Sequence, residues 1–483
     1  MNQITRIIKN TGVEVISNML NMGLSAVFTF IVARMLGPQR YGVYSLVTTF
    51  PLIFAALIIF GLDCVLIRDI ARDKKESGKM LFNAILFQSL MTIVTSLVII
   101  VSMFFLGYEP NTMFLIIYFF LFCTINSITT VNSSVFKAFE KMEYNALLNS
   151  GERFLVLLLG ITVIMKFGSV FSILSVFVII AIFKLVISLR LSFSRFVNLE
   201  IAFDRKIFNY FFKEGYPIAV SSFFTAFRWN IVIVIISKML TETDTGYYNA
   251  ALKLAYPILV VIFAYSAAIL PVMSKYYKDD DYNLERLYKA SLKLAMTFSI
   301  PLAIMISFFS SKIVNILFGN QYLVSATVLK IVVWILPFSF LLYPLGNLLI
   351  AMNRQKIAMK ANGYNSIILV ILAIILTHRF GLYGASASIV LAEFLLVITY
   401  FYNITKIYKY VEISEFLLKP FFAGFLMFLA VYLAGEKNLF FSMPVSLMLY
   451  FFVLYFSGIF HKEEIEKIKE AFRMKNTEKI INE

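Results

Sequence analysis

The Lys and Arg residues of this chain gather in every other gap between long apolar stretches, and that alternation limits what it can fold into. Positive charge stays on the cytoplasmic side when helices insert into a membrane. A chain with this pattern is expected to cross the bilayer about fourteen times, with both ends in the cytoplasm. The stretches lie near residues 12–33, 42–62, 81–104, 112–135, 146–166, 169–190, 215–237, 247–270, 291–309, 326–350, 361–378, 383–404, 417–434 and 440–460. About 20 apolar residues cross the ~30 Å hydrocarbon core as a helix. One missed or added span would invert the alternation beyond it, so charge and count check each other. Barrel strands of about ten residues with alternating polarity do not fit. The expected fold class is an all-α membrane protein.

Composition agrees. The chain is 60% hydrophobic and 15% charged, with mean hydropathy +0.84, whereas soluble domains are about a quarter charged. The net charge of +15 does not imply nucleic acid. Those cations are the topology signal, placed where anionic inner-leaflet lipids favour them. The tail 461–483 mixes Lys with Glu and reads as a solvated or interfacial helix. Cys64 and Cys123 lack metal-ligand spacing, and His378 and His461 are far apart, so neither a metal site nor a catalytic residue is expected. The first apolar run is too long for a cleaved signal and is expected to remain as span 1.

The gaps expected outside are short, as in Gly107-Tyr108-Glu109-Pro110-Asn111 and Gly435-Glu436-Lys437-Asn438. The longest inner gap, 191–214, lies between spans 6 and 7 and is a natural boundary between halves. Arg34-Met35-Leu36, Gly42 and Tyr44 are echoed by Lys238-Met239-Leu240, Gly246 and Tyr248, at a constant offset of 204. Ala138-Phe139-Glu140-Lys141 is echoed by Ala351-Met352-Asn353-Arg354. Spans 1 and 7 run in the same direction, so the repeat is parallel and its pseudo-twofold axis lies along the membrane normal. The expected organisation is a six-helix bundle at 1–200, a second at 201–410, two further spans at 411–460 and the tail. Paired bundles of this kind suit a transporter with its site at the repeat interface.

The segment Leu36-Gly37-Pro38-Gln39-Arg40-Tyr41-Gly42-Val43-Tyr44-Ser45 resembles the first-loop signature of Wzx-type polysaccharide-export flippases. These belong to the superfamily that also holds the MATE exporters and the lipid II flippase. Gly61-Leu62-Asp63, Arg68-Asp69-Ile70-Ala71-Arg72, Gly246-Tyr247-Tyr248-Asn249 and Pro344-Leu345-Gly346-Asn347 support the likeness. The resemblance implies an inner-membrane protein, and not an enzyme. It would move a polyprenyl-diphosphate-linked oligosaccharide outward by alternating access, alongside other polysaccharide-assembly proteins. Members often carry an acid in span 7 where this chain has Asn230, which weakens a cation-coupling role there.

Charged groups within spans are costly and mark candidate sites. Arg228, among Phe227 and Trp229, has a fork suited to a diphosphate; an acid such as Glu14 or Asp63 is the competing partner. Lys253 in span 8 could share the anion or snorkel to the surface. Arg34 and Arg40 lie outside, against the charge trend, as release sites or helix-end anchors. Arg68, with Arg72, is a docking point on the cytoplasmic side or a topology cation. Glu14, Asp63 and Glu393 are the carboxylates that could bind a coupling proton or sodium ion. Glu152 and Arg153, at the start of span 5, read as pairing with neighbouring residues at the interface. Prolines 51, 257, 301, 337 and 344 fall within spans, with Pro51 and Pro257 in equivalent ones. The alternatives are a MATE-like multidrug or cation antiporter, which would favour an acidic cavity, and a glycosyltransferase or polymerase, which would need larger external loops.

Overall fold

Two glycines break the two longest helices. Helix α1 (Gln3–Ile59) has 57 residues and contains Gly37 at φ 72, ψ 167. Helix α13 (Gln355–Ile407) has 53 residues and contains Gly381 at φ 57, ψ −137. Both conformations are open to glycine and closed to residues with a Cβ. At 1.5 Å per residue either helix would run to roughly 80 Å, well beyond the ~30 Å of hydrocarbon. Each is long enough for two crossings. The computed structural model describes residues 3–198, 200–408, 414–434 and 439–458. The expected tail at 461–483 and the turn at 435–438 lie outside the described residues.

Between the two long helices come α2 (Leu62–Arg72), α3 (Ser77–Leu106), α4 (Pro110–Ala138), α5 (Met142–Phe167), α6 (Val170–Arg195) and α7 (Arg205–Met239). They are followed by α8 (Glu242–Ala255), α9 (Leu259–Asp279), α10 (Asp281–Phe318), α11 (Leu323–Val332) and α12 (Ile335–Ala351). Helices α14 (Lys419–Ala434) and α15 (Leu439–Phe456) close the described chain. Among the described residues, ten helices are long and apolar enough to cross a membrane, or eleven if the bent pair α11–α12 is one span. Counting α1 and α13 as two crossings each brings the expected spans within reach. The last of them, near 440–460, falls on the shorter apolar helix Met443–Phe456. The chain is an all-α membrane protein.

The chain divides into two compact units. One comprises Met1–Pro257, Val314–Val328 and Asn362–Ala392; the other comprises Ile258–Ile313, Leu329–Ala361 and the described residues from Glu393 onward. In the first unit, α1 and α8 cross at two glycines that the sequence repeat relates. A Cβ on Gly42 would stand 1.7 Å from the Glu242 carbonyl oxygen, and one on Gly246 would stand 2.0 Å from that of Pro38. Glu242 and Pro38 are themselves repeat-equivalent, so the contact is self-complementary. Small residues at such crossings let backbones approach without lost packing. Gly42→Ala should force the helices apart and cost at least the ~1–3 kcal/mol typical of overpacking. Thermal unfolding in detergent measures it, and an unchanged midpoint would contradict the close contact.

The weaker echo is a shared turn. Lys141 N–H donates to the Phe136 carbonyl at 2.8 Å, and Arg354 N–H to that of Leu349 at 2.7 Å. Glu140 and Asn353 both sit at φ 58. This is the six-to-one bond of a Schellman helix end with a left-handed residue at its corner. The prolines of the two equivalent spans behave differently. Pro51 lies inside unbroken helix, whereas Pro257 sits in a 3₁₀ turn, Tyr256–Ile258, that separates α8 from α9.

The gap between spans 6 and 7 is strapped to the start of α3. Gly78 abuts the Asn198 carbonyl, Asn83 donates to the Ala202 carbonyl at 2.8 Å, and Lys79 pairs with Asp204 at 2.7 Å. The hydrogen bond from Lys79, then the Lys206 N–H, holds the Asp204 carboxyl below its ordinary range. A depressed carboxyl pKa contributes stability above the unfolded value of ~3.9, lost as pH falls through the folded one. Protease cutting of this strap should therefore stay constant from neutral pH down to about pH 5 and rise only below about pH 4. Cutting that rises already between pH 7 and 5 would contradict the assignment.

In the second unit α9 packs on α12, where Asn347 donates to the Ser266 carbonyl at 2.9 Å. Tyr450 of α15 donates to the Thr297 carbonyl at 3.1 Å. An apolar cavity of about 520 Å³ lies among Trp334, Phe338, Phe394, Phe401 and Phe421.

Candidate functional site

A cavity of about 370 Å³ opens inside the first unit. Helical spacing decides which side chains reach it. Ser25, Phe28 and Thr29 come from the first segment of α1, and Tyr41, Tyr44, Thr48 and Leu52 from the second. Phe119, Phe122 and Asn126 form one stripe of α4. Asn249 and Lys253, four apart on α8, share a face. Arg153 enters from α5 and Phe177 from α6.

Arg153 and Lys253 are the charged groups of this lining, and among the described residues no carboxylate lines it. The two cations act on each other electrostatically. Lys253 is exposed and Arg153 half-buried, and both line the cavity. Among the described residues neither has an ion-pair partner. An uncompensated cation at membrane depth is stable only when it faces water or an anion. Phe28, Phe119, Phe122 and Phe177 pack edge to ring around it, so the walls are aromatic and the charge is positive. Such a site can hold an anion through charge-assisted hydrogen bonds, with Arg153 able to contribute two parallel ones.

A second, polar cavity of about 120 Å³ is lined by Asp63, Lys137, Lys184, Asn145, Asn149 and the hydroxyl residues 129, 130, 133 and 134. Lys184 pairs with Glu152 at 2.6 Å, with side-chain exposures of 9% and 4%. Its Nζ also donates to the Asn126 side-chain oxygen at 3.4 Å. Asn126 lines the first cavity, so this buried pair stands between the two. Glu14 is held by Lys137 at 3.3 Å. Asp63 lines the polar cavity and is half-buried.

The remaining sequence candidates lie elsewhere. Arg34 donates to the Ile316 carbonyl, and Arg40 donates to that of Gly168 at 3.0 Å. Lys238, the repeat equivalent of Arg34, donates to the Gly107 carbonyl at 3.0 Å. Each is at the C-terminal end of a neighbouring helix, where a cation offsets unpaired carbonyls and the helix dipole. The cations expected outside are thus helix caps here. Arg68 binds Asp69 at 2.9 Å, Glu214 at 3.0 Å and the Tyr210 hydroxyl. Arg228 is half-buried, with its guanidinium 5.3 Å from the Trp229 ring centre, and does not line the 370 Å³ cavity. Asn230 donates to the Ala226 carbonyl at 2.7 Å within its own helix. Glu393 is buried in α13.

In sequence terms Arg153 is expected in an interface pairing and in no site, and Lys184 is not singled out. Glu152 and Arg153 are adjacent, so on a helix they point about 100° apart and cannot share a partner. Glu152 turns to Lys184 and Arg153 to the cavity. That divergence, and a lysine deep in span 6, were the available signals.

The family model described as polysaccharide biosynthesis protein matches residues 7–277, and a MatE model matches 217–375. The capsular polysaccharide biosynthesis protein CapF of Staphylococcus aureus is 22% identical over 83% of this chain and 100% of its own length. A probable low-salt glycan biosynthesis flippase of Haloferax volcanii is 26% identical, but the match spans only 39% of each chain. Among solved structures, the lipid II flippase MurJ in an inward closed conformation superposes with a TM-score of 0.76 at 19% identity. That superposition covers 95% of this chain and 100% of MurJ. An inward-facing MATE multidrug transporter gives 0.65 at 17% identity, covering 80% and 94%. These likenesses establish the fold.

Proposed function

We propose that this chain, which belongs to the polysaccharide biosynthesis protein family, is a flippase for a polyprenyl-diphosphate-linked oligosaccharide. The headgroup crosses from the cytoplasmic to the outer leaflet of the cell membrane by alternating access, and the lipid tail stays in the bilayer. The observation that carries the reading is the pair Arg153 and Lys253, facing a cavity that no described carboxylate lines. A diphosphate supplies the missing negative charge. Both termini lie in the cytoplasm in this proposal, the bundles at 1–200 and 201–410 are the moving parts, and other polysaccharide-assembly proteins supply and consume the lipid. A coupling proton or sodium ion has its best carboxylate in Asp63, because Glu14 is already held by Lys137. A cation antiporter is disfavoured by the sign of the cavity.

The test is flipping of a fluorescent polyprenyl-diphosphate sugar in proteoliposomes. Wild-type protein should flip it and should not extrude cationic dyes; dye export without lipid flipping would overturn the reading. The same assay separates two arginines. Arg228→Ala should reduce the flipping rate by less than ten-fold, because Arg228 does not line the cavity, whereas Arg153→Ala removes a direct anion contact. Equal losses would place Arg228 in the path as well.

A further inference from the structure

The crossing of α1 and α8 brings residues related by the sequence repeat together, and one of them also faces the cavity. Asn249 is 4% exposed. Its amide donates to the Ser45 hydroxyl at 2.6 Å and to the Tyr41 hydroxyl at 3.4 Å. Ser45 and Asn249 are 204 residues apart, the offset of the repeat itself. They are equivalent positions meeting face to face. One turn earlier, Gly42 and Gly246 make the tight crossing of α1 and α8. One turn later on α8, Lys253 faces the cavity, as do Asn249 and Tyr41. The other side-chain bond of this crossing, Gln39 to Glu242 at 3.3 Å, is solvent-exposed and adds little.

We infer that Asn249 is a positioning residue that senses the headgroup: its bonds to Ser45 and Tyr41 latch the repeat halves together, and an anion at Lys253 releases them. An anionic oxygen is a stronger acceptor than a hydroxyl. A diphosphate drawn to Lys253 and Arg153 competes for the same amide N–H groups from one helical turn away. Once they turn to the anion, the crossing keeps only its close glycine packing and the exposed Gln39–Glu242 bond, and the halves can part. Occupancy is thereby converted into opening. This inference rests on the anion-flippase reading above.

The experiment uses full-length protein lacking both cysteines (Cys64→Ser, Cys123→Ser) with Thr48→Cys as a reporter in the cavity lining. Vesicles of phosphatidylcholine with or without a polyprenyl diphosphate are treated with an external, membrane-impermeant thiol reagent. The lipid should speed labelling of the parent. Asn249→Ala should label about three- to ten-fold faster without the lipid, the worth of one hydrogen bond, and should no longer respond to it. Asn249→Gln, which keeps the amide, should recover part of the response. In a second variant, Ser45→Cys/Asn249→Cys bridged by a short thiol cross-linker should bind the lipid but not flip it until the bridge is cleaved. Flipping at the parent rate with the bridge intact would overturn the latch. So would an Asn249→Ala variant that labels and responds like the parent. If the parent fails to bind the lipid while the bridge still forms, the anion-flippase reading falls instead, and the sensing role with it.

Discussion

Arg153→Ala should lower the initial rate of lipid-linked sugar flipping, at limiting substrate, by roughly ten- to over a hundred-fold. Losing one charge-assisted hydrogen bond costs about 1.5–3 kcal/mol, and each 1.4 kcal/mol is about ten-fold. Arg153 lines a cavity with Lys253 as its companion cation, so Arg153→Ala/Lys253→Ala should leave no measurable flipping. Arg153→Lys should recover only part of the rate, because lysine keeps the charge and loses the planar fork. The comparison needs equal insertion, checked by detergent-resistant monodispersity and thermal unfolding. A correctly inserted Arg153→Ala variant that flips at the wild-type rate would make this arginine structural.

Glu152→Ala should be the most damaging single change to stability. It leaves the Lys184 ammonium, 9% exposed, without its carboxylate. Breaking a buried pair from one side costs about 3–5 kcal/mol. The lower end is expected, because Lys184 also borders the polar cavity and can draw on water there. Glu152→Leu/Lys184→Leu removes both charges and should regain most of the loss, since apolar replacements of buried pairs are often neutral or better. Thermal unfolding of the three proteins checks the ordering. A double variant as unstable as Glu152→Ala would mean that packing, not charge, holds this site.

The spans were legible because a membrane imposes one requirement on every helix, and cationic gaps report it independently. The breaks at Gly37 and Gly381 fall between expected spans, where a glycine at positive φ divides one long helix in two. The repeat was legible as an offset of 204, but likeness is not contact. Nothing in the words Gly42 and Gly246 says that their backbones touch. The site was less legible for the same reason. Arg34 and Arg40 stood out as cations on the wrong side, yet the carbonyls they cap lie 282 and 128 residues away. Glu152 and Arg153 were both expected to pair with neighbours, and Glu152 does so with Lys184. Only the packing of α4, α5 and α6 sends the carboxylate to Lys184 and the guanidinium to the cavity.

The 370 Å³ cavity should bind an anionic headgroup through its two cations. Calorimetric titration of the detergent-solubilised full chain with a short-chain polyprenyl diphosphate tests it most directly. Wild-type protein should bind with an affinity that falls as salt rises, and Arg153→Ala/Lys253→Ala should bind at least a hundred-fold more weakly. Wild-type affinity in that folded double variant would contradict the account.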